Sequence, residues 1–486
     1  MSKRFDAVII GSGLSGLTCG AFLARAGMRV LVCERHHTIG GYAHSFRRGT
    51  YRFESGIHSV SLAPDGFIMH LLRLLGVEST IESIPHDAMY SFTAGDFSYR
   101  VPARFDAISD QLASDFPHQR SNLKSLFIDM SRFYDTLIRP LFYFEERFTE
   151  KDKEFIARYF KRSYREHLCS HLSDERLIRI FCSQWPFWGM PPDRSPTIYP
   201  LLAFYVHTLE GSHHIKGGFS RIALALSRAI TDRGGEVRTG AEVTGMTAEN
   251  LTVRSVKFRS GEEIEADLFI SNISPHVLHG SLIPETARNK MWRRRLRNLT
   301  PSVSAVGVYC GLHRPVRFPG GSTLDFWFEH NDYNDIYRSI EQGTAADCSH
   351  LVFLHSPVED EKLTMLILNF VNSNRSNDWK TDKMRYADAI IARTRRLIPG
   401  FEEALDYYEV ASPDTFERFS GNTAGALYGF ENTKEVYGEA RMPAATYIKN
   451  LFQTGHWCKP GGGVWNVMEC GYTTAKLILN SDHSSV

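Results

Sequence analysis

The chain has no Cys-x-x-Cys pair, no internal repeat, no low-complexity tract and no uninterrupted apolar stretch of membrane-spanning length. Its eight cysteines (Cys19, Cys33, Cys169, Cys182, Cys310, Cys348, Cys458 and Cys470) are scattered. That spacing excludes a zinc ribbon or a thioredoxin-like pair and reads as reduced thiols in a cytoplasmic protein. His36-His37 and His213-His214 are adjacent in sequence rather than spaced as ligands on one face, so no metal site is expected. Excess charge of one sign is also missing. With 56 Lys and Arg against 55 Asp and Glu, nothing draws the chain to nucleic acid or strongly to anionic lipid. Lys3 and Arg4 precede an apolar run, but glycines and Arg25 interrupt it in a strand–turn–helix order, so it is not read as an export signal. Lacking a spanning segment and a basic amphipathic helix, the protein is expected to touch membranes peripherally at most.

What is present begins at residue 5. Phe5 to Ile10 is a buried-strand pattern, and Gly11, Gly13 and Gly16 form GxGxxG. The first glycine permits a tight turn, the second lets a pyrophosphate approach the backbone, and the third allows close helix–strand packing. Leu14 to Ala26 reads as a helix whose first N–H groups, those of Leu14 and Ser15 among them, face the phosphates. Met28 to Cys33 reads as the second strand and ends at Glu34, whose carboxylate suits a ribose diol. In this context the motif specifies a dinucleotide fold, and no second GxGxxG follows for a separate NAD domain.

Arg35 and Ile39-Gly40-Gly41 extend the motif so that it resembles the ERxxxxGG signature of FAD-binding flavoproteins. More patches continue the likeness: "YRFESGIHSV" (51–60), "HHIKGGFSRIALALSRAITDRGGEV" (213–237), "ADLFISNISPHVL" (266–278) and "LFQTGHWCKPGGGVWNVMECGYTTAKL" (451–477). Together they resemble the carotenoid desaturase, carotenoid isomerase and retinol saturase group of the amine-oxidase-like flavoproteins. The departures are Glu54 where the family commonly has Asp, Ile215 where it often has Pro, and the unusual lead His456-Trp457-Cys458.

The resemblance implies one non-covalently bound FAD. Gly11, Gly13, Leu14, Ser15, Gly16, Glu34, Arg35, Gly40 and Gly41 would hold its adenosine diphosphate half, and the Val243 backbone its adenine. Gly455, Pro460, Gly461, Gly462, Gly463 and Val464 would form the loop along the flavin, where missing Cβ atoms let N–H groups reach its oxygens. Glu54 and His58 are the catalytic candidates, His58 because an unperturbed imidazole titrates near neutrality. The fold implied is α/β: a discontinuous Rossmann-type FAD domain (1–65, 213–290 and 425–486) with an α+β substrate domain (66–212 and 291–424) containing an antiparallel sheet and a helical lid. The block 65–210 shows helical periodicity, and Ser260-Gly261 reads as a hairpin turn.

The activity implied is desaturation, saturation or isomerisation of C–C bonds in an apolar polyene or acyl-type molecule, with NAD(P)H, oxygen or a quinone as redox partner. Two alternatives stay open: an oxidase of an amine or amino-acid-derived natural-product intermediate, and a non-enzymatic prenyl- or lipid-binding protein. "SQWPFWGMPP" (183–192) lines an apolar tunnel or is ordinary core.

Overall fold

In the computed structural model the described residues are 5–138, 140, 148–344, 348–356, 362–372, 378–437 and 441–481. Strand Phe5–Ile10 is central to the first sheet. It pairs in parallel with Val30–Cys33 on one side and Glu263–Ser271 on the other. Glu236–Arg238 and Leu451–Gln453 extend the parallel set, and the antiparallel strands Val243–Glu249 and Thr252–Phe258 complete seven strands. The turn at Gly261 (φ +90°) lies where the sequence places it. Strands from residues 5–33, 236–271 and 451–453 thus share one sheet.

Helix Leu14–Arg25 is buried from Leu14 to Ala24, because helices Ser220–Thr231 and Val464–Asn480 pack against it. Its small residues set the distance: a Cβ on Gly20 would stand 2.8 Å from Ile9 Cδ1, and one on Gly471 would collide with the Ser15 carbonyl oxygen. The Ser15 and Thr454 hydroxyls hydrogen-bond at 2.6 Å. The two ends of the described chain therefore close on each other.

The second sheet runs in the order Leu405–Ala411, Ser304–Leu312, Leu363–Val371, His350–Ser356, Leu324–Phe328, Ala88–Ala94, Phe97–Pro102. Its strands pair antiparallel except for Leu324–Phe328 with Ala88–Ala94, which is parallel, so the sheet is largely antiparallel, as expected. The block 65–210 is rich in helix, as its periodicity predicts, but also contributes strands. Ala88–Ala94 and Phe97–Pro102 are a hairpin turning at Gly95-Asp96, and helices occupy much of the remainder. The predicted helical run through "RPLFYF" lies largely outside the described residues.

His350 is fully buried in the second sheet, where its Nε2 accepts the Phe370 N–H at 2.9 Å. Burial pushes its pKa down to about 3. The native value lies below the unfolded value of about 6.5, so its stabilising contribution is complete above that pH and is lost as pH falls toward 3. By pH 5 the loss is about 2 kcal/mol. His350→Gln keeps an acceptor and removes the titration. Its stability relative to wild type is expected to rise by about 2 kcal/mol between pH 7.5 and pH 5 in urea unfolding.

Candidate functional site

One continuous cavity runs from the carboxyl ends of the parallel strands to the face of the second sheet. Gly11, Gly13, Leu14, Ser15, Glu34, Arg35, Gly40, Gly41 and Val243 line the first half. Gly13 is the N-cap of helix Leu14–Arg25, no side chain caps that helix, and its N-terminus opens on the cavity. Gly16 does not line it. A Cβ there would sit 2.5 Å from the Gly11 carbonyl oxygen, so the third glycine serves packing. Gly40 and Gly41 have φ of +112° and +57°, and a Cβ on Gly41 would stand 3.2 Å from Gly13 Cα. The second glycine pair thus lets its loop lie against the first.

The Glu34 carboxylate accepts hydrogen bonds from the Ser12 N–H (2.9 Å), the Ser12 hydroxyl (2.6 Å) and the His36 N–H (2.8 Å). A carboxylate has about four acceptor sites, so capacity remains for a ribose. Arg35 has a second task besides bordering the nucleotide end. Its Nη2 donates to the carbonyls of Glu417 and Arg418 at 2.8 and 2.5 Å, tying the strand end to helix Pro413–Ser420 while its side chain borders the cavity.

The C-terminal loop closes the second half through Gly455, His456, Gly462, Gly463 and Val464. Gly463 (φ +94°) is the N-cap of helix Val464–Asn480, again without a side-chain cap. Tyr199 and Asn466 both donate to the Gly462 carbonyl, at 2.5 and 2.8 Å. Pro460 and Gly461 stand behind the lining, and a Cβ on Gly461 would meet Arg441 and Asn432 at 3.3 Å. Their part is to shape the loop. Cys458 is buried outside the lining, and burial drives its thiol pKa up, which suits a packed thiol rather than a flavin tether.

Arg441 organises this region and was not singled out from the sequence. It is fully buried. It donates to the carbonyls of Tyr428 (3.0 Å), Phe430 (3.3 Å), His456 (2.6 Å) and Cys458 (3.1 Å), and to Asn432 Oδ1 (2.8 Å). Asn422 Oδ1 accepts from Trp457 Nε1 at 2.9 Å and lies 2.9 Å from His456 Nε2. Burial, then the Arg441 charge, pushes His456 down to about 3.

The structure separates the two catalytic candidates. Glu54 does not line the cavity. Its carboxylate accepts from the Ser45 hydroxyl (2.9 Å) and the Phe219 N–H (3.2 Å), with Arg52 Nη2 at 3.8 Å. A Cβ on Gly218 (φ +85°) would collide with it. "FESG" and "KGG" are therefore packing partners, and Glu54 is structural. His58 does line the cavity, and its buried Nε2 has no hydrogen-bond partner in the protein. Burial, with His214 and His86 adding to it, pushes its pKa down to about 3. Burial thus favours the neutral imidazole at His58, a group that accepts rather than holds a proton near pH 7.

Beyond His58 the lining is mostly apolar, with His207 stacked on Phe187 and Tyr428 among the polar exceptions. Leu324 and Phe326, Val352 and Leu354, and Leu368 and Phe370 line it from three adjacent strands. Each pair is spaced by two, so one face of the sheet is the wall. Leu202, Ala203 and Val206 of helix Ile198–Leu209 lie in the same lining, with Pro186 and Phe187. The aromatic cluster is thus split: Phe187 belongs to the cavity, whereas Trp185 and Trp188 are core. Among the described lining residues, charge outside histidine is confined to Glu34, Arg35 and Glu242 at the nucleotide end.

These residues fit a flavin dinucleotide. Two uncapped helix N-termini face one cavity, one beside the glycine turn and one beside the apolar wall. The first suits a pyrophosphate and the second suits negative charge on a reduced ring. Asn466 Oδ1, buried without a partner, borders the same space.

Comparison with known proteins agrees. The chain is 23% identical over 505 residues to a 4,4'-diapophytoene desaturase (4,4'-diapolycopene-forming) from Methylomonas sp, covering 98% of this chain and 96% of the relative. It is 24% identical over 505 residues to the chloroplastic prolycopene isomerase of Daucus carota, covering 98% and 80%. It is 22% identical over 531 residues to the all-trans-retinol 13,14-reductase of Danio rerio, covering 98% and 86%. The fold is that of an oxidoreductase from Methanosarcina mazei, with a TM-score of 0.65, 17% identity and coverage of 97% and 99%. The model of the flavin-containing amine oxidoreductases matches residues 14–479, and the chain belongs to that family.

Proposed function

We propose that the chain is an FAD-dependent oxidoreductase that desaturates, saturates or isomerises C–C bonds of an apolar polyene or acyl-type small molecule in a biosynthetic pathway. The observation that carries this reading is the uncharged lobe between the flavin loop and the second sheet. The relatives differ in the direction their names give, to desaturate, isomerise or reduce, which is compatible with a site whose wall at the second sheet is apolar.

FAD supplies hydride acceptance and donation. The protein supplies position and dryness. Phe326, Leu354 and Leu368 offer an apolar chain a flat wall and exclude water from the reacting carbons. The uncapped N-terminus of helix Val464–Asn480 would favour negative charge on a flavin bound beside it. Neutral His58 can hydrogen-bond at the border of the lobe but stores no proton near pH 7. An amine substrate would call for a more polar pocket, which is why the amine-oxidase alternative is set aside. Oxygen, a quinone or NAD(P)H would complete the redox balance of desaturation or saturation.

The test is anaerobic. The flavin, oxidised or chemically reduced, is mixed with candidate polyenes and acyl chains while flavin absorbance and products are followed. Turnover of a polyene supports the reading. Reduction by amines alone would move the protein to the oxidases, and protein that stays colourless after FAD addition would make it a binding protein. Leu368→Asp is expected to weaken polyene binding 100-fold or more, about 3 kcal/mol, while retaining flavin, as measured by titration of the flavin spectrum.

A further inference from the structure

Outside the cavity, "REHLCSHLSD" (165–174) carries two histidines four residues apart. His167 lies in helix Tyr164–Cys169 and His171 in the turn that continues it, where the Leu168 carbonyl accepts the His171 N–H at 3.0 Å. This spacing puts both rings on one face, 5.1 Å apart. Opposite them stands Asp129 of helix Arg120–Phe133. Its Oδ2 is 3.6 Å from His167 Nε2 and 3.9 Å from His171 Nε2, and one ligand atom from each residue lies within 4.8 Å of the others. The His167 side chain is 7% exposed, and its Nε2 has no hydrogen-bond partner. None of the three lines the flavin cavity.

The surroundings orient these groups as the outer shell of a metal site does. Tyr159, from helix Glu150–Lys161, donates its hydroxyl to Asp129 Oδ2 at 2.8 Å. Ser125 Oγ lies 3.3 Å from His171 Nδ1. With the Ser125 hydroxyl as acceptor, the His171 proton sits on Nδ1 and Nε2 is free to ligate, which is the tautomer a metal would select. Two imidazoles and a carboxylate are a ligand set for zinc, whose tetrahedral ligands at about 2.0–2.1 Å from the metal stand about 3.4 Å from one another. Closure from the observed distances is within reach of side-chain rotation. Asp129 and His171 are partly exposed, which leaves a water-accessible fourth position.

We propose that Asp129, His167 and His171 bind a zinc ion that pins the helical part of the substrate domain. The ion would tie helix Arg120–Phe133 to Tyr164–Cys169, with Tyr159 buttressing from a third helix. Ser131 of the first helix accepts the Tyr205 hydroxyl at 2.8 Å, so the site is linked to helix Ile198–Leu209, a wall of the flavin cavity. The expectation from sequence that no metal site exists rested on the adjacent pairs His36-His37 and His213-His214, and the pair that converges is a different one.

The full-length holoprotein, stripped with a chelator and equilibrated with Zn²⁺ alone, is expected to hold about one zinc per chain, and zinc is expected to raise its melting temperature by several degrees. His171→Ala and Asp129→Asn are each expected to lower zinc affinity 100-fold or more, and Ser125→Ala about tenfold. His213→Ala is expected to leave it unchanged. Absence of zinc binding at about 10 μM, or undiminished binding in both ligand variants, would overturn the proposal. Should the variants fail to fold, zinc-edge X-ray absorption on the wild type decides: a shell of imidazole nitrogen and oxygen supports the site, and sulfur in that shell overturns it.

Discussion

Gly13→Val should purify as a folded, colourless protein. Gly13 has φ −61° and ψ 162°, extended values that valine tolerates, so the backbone is not the obstacle. The obstacle is space. A Cβ there would stand 2.6 Å from Asn272 Nδ2 and occupy the lip from which the first N–H groups of the helix meet a pyrophosphate. Asn272 can swing aside, so the chain should still fold, but the added methyls remain in the groove. FAD affinity should fall at least 100-fold, about 3 kcal/mol, in titrations of the apoprotein. Gly245→Ala is the matched comparison, since a Cβ there meets nothing within 4 Å, and it should stay yellow. Stoichiometric flavin in Gly13→Val would mean that the dinucleotide lies elsewhere.

The second large effect is expected at Arg441. Its guanidinium serves four carbonyls and one amide oxygen in a fully buried position. Leucine fills much of the volume but leaves those acceptors without donors and frees the chain on both sides of the glycine loop. Arg441→Leu should cost about 3–5 kcal/mol in urea unfolding and release flavin. Arg441→Lys should recover little, because one ammonium cannot reproduce the planar fork that spans the five acceptors. A loss below about 1 kcal/mol, with flavin retained, would show that this network does not hold the loop.

The dinucleotide half of the site is readable in the sequence because its constraint is local. A turn at φ +96° at Gly11, and a Gly16 whose Cβ would stand only 2.5 Å from the Gly11 carbonyl oxygen, favour glycine at both positions, and the spacing follows from helix geometry. The hairpin at Gly95-Asp96 carries a local signal as well, masked by the helical periodicity of its surroundings. Other features have no local cause. Arg441 and Asn422 matter through partners the fold alone brings together. His58 looks like a titrating residue until burial is known. Glu54 looks catalytic until Gly218 and Phe219 are seen against it. The split of Phe187 from Trp185 and Trp188 depends on which side of the sheet each ring meets, which composition does not record.

The pairing of Leu451–Gln453 with Glu263–Ser271 bears on how the molecule is made. At translation rates of about 5–20 residues per second, the glycine turn leaves the ribosome roughly 20 to 90 seconds before the strand and loop that complete the other half of the binding groove. Once Glu263–Ser271 has emerged, its edge stays open until Leu451–Gln453 follows about 180 residues later, an invitation to pair with a neighbouring chain. Vitamin supply cannot help until the last segment emerges, so riboflavin starvation and C-terminal truncation should converge on one cellular outcome, insoluble polypeptide.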